Sequence, residues 1–205
     1  MVKRLTLWIL RFSRSEDGIS LVEGLLVFPL VLLTFSAFIE FTFAMYQWNQ
    51  TVKAIQFGAR KAAVLNPVVA DYTATMSADL GEAEGGPMPS TIVAMTCDGE
   101  TLNGCTTDGT MQNLVYGSDD NSHSILWRYG MSDFNPSIQI ENVVVSYTRS
   151  GLGYVGRPAG VISTVKVSVK DLSFDLPIMK GLFGLNFNMP ANPVTVTSED
   201  LSSTS

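Results

Sequence analysis

The run from Gly24 to Ile39 holds no charged side chain, and few environments accept such a run. Glu23 and Glu40 bracket it. Ile19 to Val22 before it and Phe41 to Trp48 after it extend the apolar stretch to the length a helix needs to cross a bilayer, about 20 residues. On a helix the two carboxylates would stand roughly 25 Å apart, and the hydrocarbon layer is about 30 Å thick. One can therefore sit at each face, clear of the centre where charge costs most.

The residues ahead of the run narrow the possibilities. Lys3, Arg4, Arg11 and Arg14 form a basic leader that ends at Gly18, and Glu23 is the fifth residue after that glycine. Basic leader, glycine and plus-five glutamate, followed by a long apolar helix, resemble the processing site of type IV prepilins and pseudopilins. The resemblance implies that a prepilin peptidase cuts between Gly18 and Ile19 and that the helix stays attached. A secretory signal would instead carry small residues after the apolar region and be discarded. No such site follows closely here.

Farther along, Pro29 interrupts the run, Glu40-Phe41 closes it, and Gly58-Ala59-Arg60 follows. With Glu23, these landmarks are similar in kind and order to those of the TadE-type minor pseudopilins of the tight-adherence (Flp) pilus system. The resemblance implies roles in processing for Gly18, Ile19 and Glu23. It implies roles in assembly for Glu23, Pro29, Glu40, Phe41, Gly58, Ala59 and Arg60. In pilins the plus-five glutamate pairs with the cleaved amine of a neighbouring subunit. The partners implied are the membrane, a prepilin peptidase, other pilins or pseudopilins and the assembly platform. The family function implied is that of a minor component or assembly factor of the pilus. A periplasmic binding module that stays on its membrane anchor is the alternative, and cleavage at Gly18 separates the two.

Topology follows from charge. Four basic residues precede the helix, and Lys53, Arg60 and Lys61 come after it. This bias is small, but the short leader and large C-terminal part orient the chain with its N-terminus cytoplasmic and its domain periplasmic, anchored in the inner membrane. In that compartment Cys97 and Cys105 form a local disulfide; in the cytoplasm they would be two reduced thiols. The 205 residues carry a net charge of −6, which argues against electrostatic binding of nucleic acid.

The expected layout is a leader at 1–18, a transmembrane helix with a periplasmic extension at 19–66, and an α+β domain at 67–205. Val52, Ile55, Ala59 and Ala62 recur at helical spacing, leaving Lys53, Gln56, Arg60 and Lys61 for the other faces. Gly58, Ala59, Ala62 and Ala63 are small enough for close helix packing. Phe41, Phe43, Tyr46 and Trp48 read as an interfacial aromatic belt. Asn66-Pro67 stops the helix. Ala70 to Leu80, and a stretch from Ser122 or Ser124 to Asp133, read as short helices. Thr91 to Cys97, Ile138 to Thr148, Val161 to Leu176 and Pro193 to Thr197 read as strands, the middle two as an antiparallel hairpin. The fold class expected is α+β, with helices on one face of a three- or four-stranded antiparallel sheet.

Chemistry-bearing patterns are sparse. Gly151-Leu152-Gly153-Tyr154-Val155-Gly156 matches a dinucleotide fingerprint by letter, but a strand follows where a helix N-terminus is needed. It reads as a flexible hairpin loop, open to a partner. His123 is the single histidine, which excludes a multi-histidine metal site, and Asp119-Asp120 reads as a solvated loop. Asp98, Glu100 and Asp108 lack EF-hand spacing. Asn49-Gln50-Thr51 is a sequon placed on the helix beside the membrane. No nucleophile elbow is present. No enzyme, cofactor, metal or small-molecule substrate is expected.

Overall fold

The computed structural model describes residues 17–81, 83–118, 128–158, 160–190 and 192–198. The leader as far as residue 16, Asp119-Asp120, His123 and the end of the chain lie outside them. So does most of the helix expected up to Asp133, whose last residues, Met131–Asp133, form a 3-10 turn. The chain divides into two compact bodies. One holds the first helix through Ala44, together with Leu176–Leu185; the other holds Met45–Asp175 and the chain from Asn186 onward.

Helix α1, Asp17–Val64, runs unbroken through Pro29. In the first body it carries one stretch long and apolar enough to cross a membrane, and none of its most apolar window is buried. Hydroxyls within it are satisfied locally: Thr34 donates to the Val31 carbonyl at 2.7 Å and Thr42 to the Phe38 carbonyl at 2.9 Å. Apolar surroundings require such pairing. The other element here is α4, Pro177–Phe183, a helix absent from the sequence reading.

In the second body the end of α1 packs on a sheet. Strands β1 (Val93–Asp98), β2 (Val143–Arg149), β3 (Thr164–Val169) and β4 (Val194–Thr197) form a four-stranded antiparallel meander in chain order. Residues of β2 alternate between buried and half-buried. Val143, Val145 and Tyr147 therefore share one face with Val165, Val167 and Val169 of β3. Ala54, Ile55, Ala59, Ala62 and Ala63 of α1 join that core. Two short helices complete the body: α2 (Tyr72–Met76), and α3 (Thr110–Tyr116), which the sequence reading also missed.

Three long polar side chains buried in this core, Tyr147, Arg149 and Lys61, are tied to backbone carbonyls. Tyr147 donates to the Ala62 carbonyl at 3.1 Å, and its burial pushes the phenol well above its ordinary pKa. The Arg149 guanidinium donates to the carbonyls of Met76 and Ala78 at 2.6 and 2.9 Å, closing the C-terminal end of α2. Lys61 corrects the face assignment made from helical spacing. It is fully buried and donates to the carbonyls of Asn113 and Tyr129, each at 2.6 Å.

Cys97 and Cys105 are disulfide-bonded. The loop they close lies against the exit of α1: Ala70 donates to the Gly104 carbonyl at 3.0 Å and Thr106 to that of Val68 at 2.9 Å. Replacing both cysteines by serine should cost about 2–3 kcal/mol, the loop-closure value for so short a ring. Denaturant melts of the oxidised parent and the double variant measure it. Free alkylation of both thiols in the unreduced, denatured parent would refute the bond.

Candidate functional site

The landmark residues fall in two settings. Gly18 and Ile19 lie in the first turns of α1 and Glu23 is exposed, one helical turn beyond Ile19. Pro29 and its neighbours are exposed as well, Leu25 at 71% and Phe28 at 63%. An all-round apolar, all-round exposed helix fits lipid or neighbouring helices, not water.

Glu40 departs from expectation. Read as a water-facing boundary residue, it is instead 4% exposed. Its carboxylate accepts the backbone N–H of Ile178 and, at 2.9 Å, that of Met179. Water is replaced by the first turn of α4, where unpaired N–H groups attract a carboxylate. Phe41, next to it, is exposed at 67%.

Gly58, Ala59 and Arg60 belong to the second body. A Cβ on Gly58 would stand 2.6 Å from the Met131 sulfur, and Met131 is fully buried. Ala59 is fully buried in the sheet-facing core, and Arg60 is exposed. The small residues therefore admit the domain's own side chains. The aromatic belt divides too: Phe43 and Tyr46 are exposed, whereas Trp48 stacks on Phe174 at 6.5 Å between ring centroids. Beside it, Gln47 exchanges two hydrogen bonds with the backbone of Asp175, at 3.0 and 3.1 Å.

The glycine-rich loop is also corrected. It is paired, not free. Gly85 donates to the Val155 carbonyl at 2.8 Å, Val155 to that of Gly86 at 2.9 Å, and Tyr154 bridges Pro87. Gly151, Gly153 and Gly156 all have positive φ, so they serve backbone geometry that other residues rarely adopt. Among the described residues no group of three His, Cys, Asp or Glu side chains could hold a metal ion.

A long apolar N-terminal helix that runs directly into a small domain with a four-stranded antiparallel sheet defines the class: a membrane-associated protein with a single candidate span among the described residues. Residues 18–60 match the family model of the TadE-like proteins. That match runs from the glycine of the expected processing site to the arginine of Gly58-Ala59-Arg60, and over this segment the chain is similar to TadE-type proteins of the tight-adherence (Flp) pilus systems. No curated protein and no solved structure matches the chain.

Proposed function

We propose that this chain is a pseudopilin-like minor component or assembly factor of a tight-adherence pilus, structural and not catalytic. A prepilin peptidase removes residues 1–18. The mature protein is anchored in the inner membrane with its N-terminal end cytoplasmic and its domain periplasmic. There the Cys97–Cys105 bond suits an oxidising compartment. Its partners are the peptidase, other pilins or pseudopilins, and the assembly platform.

The observation that carries the reading is the exposed span on the TadE-like segment. Gly18, Glu23 and Pro29 lie in order on one unbroken helix, and none of its most apolar window is buried among the described residues. A helix built to slide into a bundle of like helices needs such a surface.

N-terminal sequencing of the protein purified from membranes, in cells with an active prepilin peptidase, should return Ile19 as the first residue. An intact Met1 start would overturn processing and leave the anchored binding module as the better account.

A further inference from the structure

We propose that Leu176–Leu185 is a second membrane-inserted element, a short re-entrant helix embedded in lipid beside α1 and held there by Glu40; this rests on reading α1 as membrane-spanning. The sequence of this stretch, Leu-Pro-Ile-Met-Lys-Gly-Leu-Phe-Gly-Leu, has one ionisable residue, Lys180.

The backbone accounting supports it. Lipid cannot hydrogen-bond a free N–H or C=O group, so an element placed there must satisfy its own ends. At the start of α4, Pro177 has no N–H to satisfy. The N–H groups of Ile178 and Met179 go to the Glu40 carboxylate, and that of Lys180 to the Leu176 carbonyl at 2.9 Å. At the other end Gly184, with φ 65°, donates to the Lys180 carbonyl at 3.0 Å and Leu185 donates to that of Met179 at 3.3 Å. The Gly184 bond is the 5→1 closure of an αL cap, and together the two bonds take up two carbonyls a helix end otherwise leaves to solvent. Neither end depends on water for these groups.

The side chains do the opposite of what water favours. Leu182 is 60% exposed, Phe183 59% and Leu185 46%. Seven residues are too few for a helix to be stable in water on propensity alone. Ile178, Met179 and Phe183 share an apolar groove of about 230 Å³ with Leu30, Leu33, Thr34 and Ala37, and Glu40 closes it. From Leu30 to Glu40 is about 15 Å of helix, so α4 lies along one half of the uncharged run, inside its boundary glutamate. The surface it presents continues the lipid-facing surface of α1, so lipid acyl chains are the occupant of the groove and the cover of Leu182 and Phe183. Lys180 has a stem long enough to carry its ammonium to the headgroups.

The test uses the full chain in vesicles of phosphatidylethanolamine and phosphatidylglycerol, with the native disulfide left oxidised. A nitroxide is attached at Phe183→Cys, with Phe28→Cys marking the span and Leu152→Cys marking an exposed loop. Collisions with oxygen and with a water-soluble nickel complex are measured at each. The expected result is oxygen excess and nickel exclusion at 183, as at 28 and unlike 152. Nickel access at 183 equal to that at 152 overturns the proposal. Exclusion of both reagents at 183 also overturns it, in favour of a second copy or another protein as the cover. Nickel access at 28 would instead sink the spanning reading itself, and this inference with it. Glu40→Gln, combined with Phe183→Cys, offers one acceptor oxygen where two N–H groups need one each. It should remove the oxygen excess at 183 and leave that at 28 unchanged. An unchanged signal at 183 would show that Glu40 does not hold the element.

Discussion

Glu23→Ala should leave the protein in the membrane at the parent's level and abolish its entry into the pilus machinery. Insertion depends on the summed transfer energy of the span, in which each Leu, Ile, Phe or Val contributes about −0.3 to −0.6 kcal/mol at the centre. Glu23 lies at the edge of that run, and deleting a charge there makes insertion no harder. Cleavage should also persist, because the proposed peptidase reads the glycine. Docking is the step that should fail. Under the proposed function, cleavage would create an ammonium on Ile19, and a neighbouring subunit's glutamate would offset it in a poorly hydrated setting. Without the carboxylate that charge stays uncompensated, which is far costlier than losing a pair in water. Membrane fractionation, the N-terminal sequence, crosslinking to pilus components and surface piliation together separate these steps. A Glu23→Ala strain that piliates like its parent would reduce Glu23 to a boundary marker. Glu40→Ala is not a mild comparison, because its carboxylate serves the backbone of α4 in the same chain. Its defect should appear in each molecule before any subunit meets another.

The second large effect concerns stability. Lys61→Ala should destabilise the domain by about 3 kcal/mol, whereas Arg60→Ala, one residue earlier, should change it by less than about 0.5 kcal/mol. Lys61 is fully buried and ties α1 to the carbonyls of Asn113 and Tyr129. Truncation takes a charged donor from both carbonyls, leaving Asn113's only the Gly117 N–H at 2.8 Å, and leaves a hollow where the buried stem lay. Lys61→Met separates these contributions. It restores most of the volume without the donors, so its cost should fall between those of the other two variants. Urea melts of the three variants and the parent, in detergent at one pH, give the ordering. Equal stability of Lys61→Ala and Arg60→Ala would mean that the buried ammonium contributes nothing net, its desolvation offsetting its bonds.

These adjacent residues show where sequence stops being informative. Helical spacing placed Ala59 and Ala62 inward, and they are inward. It also placed Lys61 outward with Arg60, because period and residue type both suggest a solvated face for lysine. The carbonyls that admit Lys61 come from residues 52 and 68 positions away, and no local pattern announces them. Strand alternation was equally legible. The valines of β2 and β3 declare a one-sided sheet and their pairing by a hairpin, because burial on one face imposes a period of two. Helices α3 and α4 were not legible. Each is seven residues long, too short for a periodic signal to rise above its loops, and α4 contains an internal glycine as well.

By itself the sequence determined what depends on transfer energy and on order along the chain. The uncharged run, its bracketing glutamates, the glycine before it and the TadE-like landmarks need no third dimension to be read. The tertiary structure decided which polar groups meet which backbone. Glu40 could be a boundary marker or a cap, Gly58 a contact for another helix or room for Met131. Only the fold brings Ile178 and Met179 to Glu40, and Met131 to Gly58. Hydrogen bonds and close packing act over a few ångströms between residues far apart in the chain, whereas partition into lipid is a sum over neighbours in sequence.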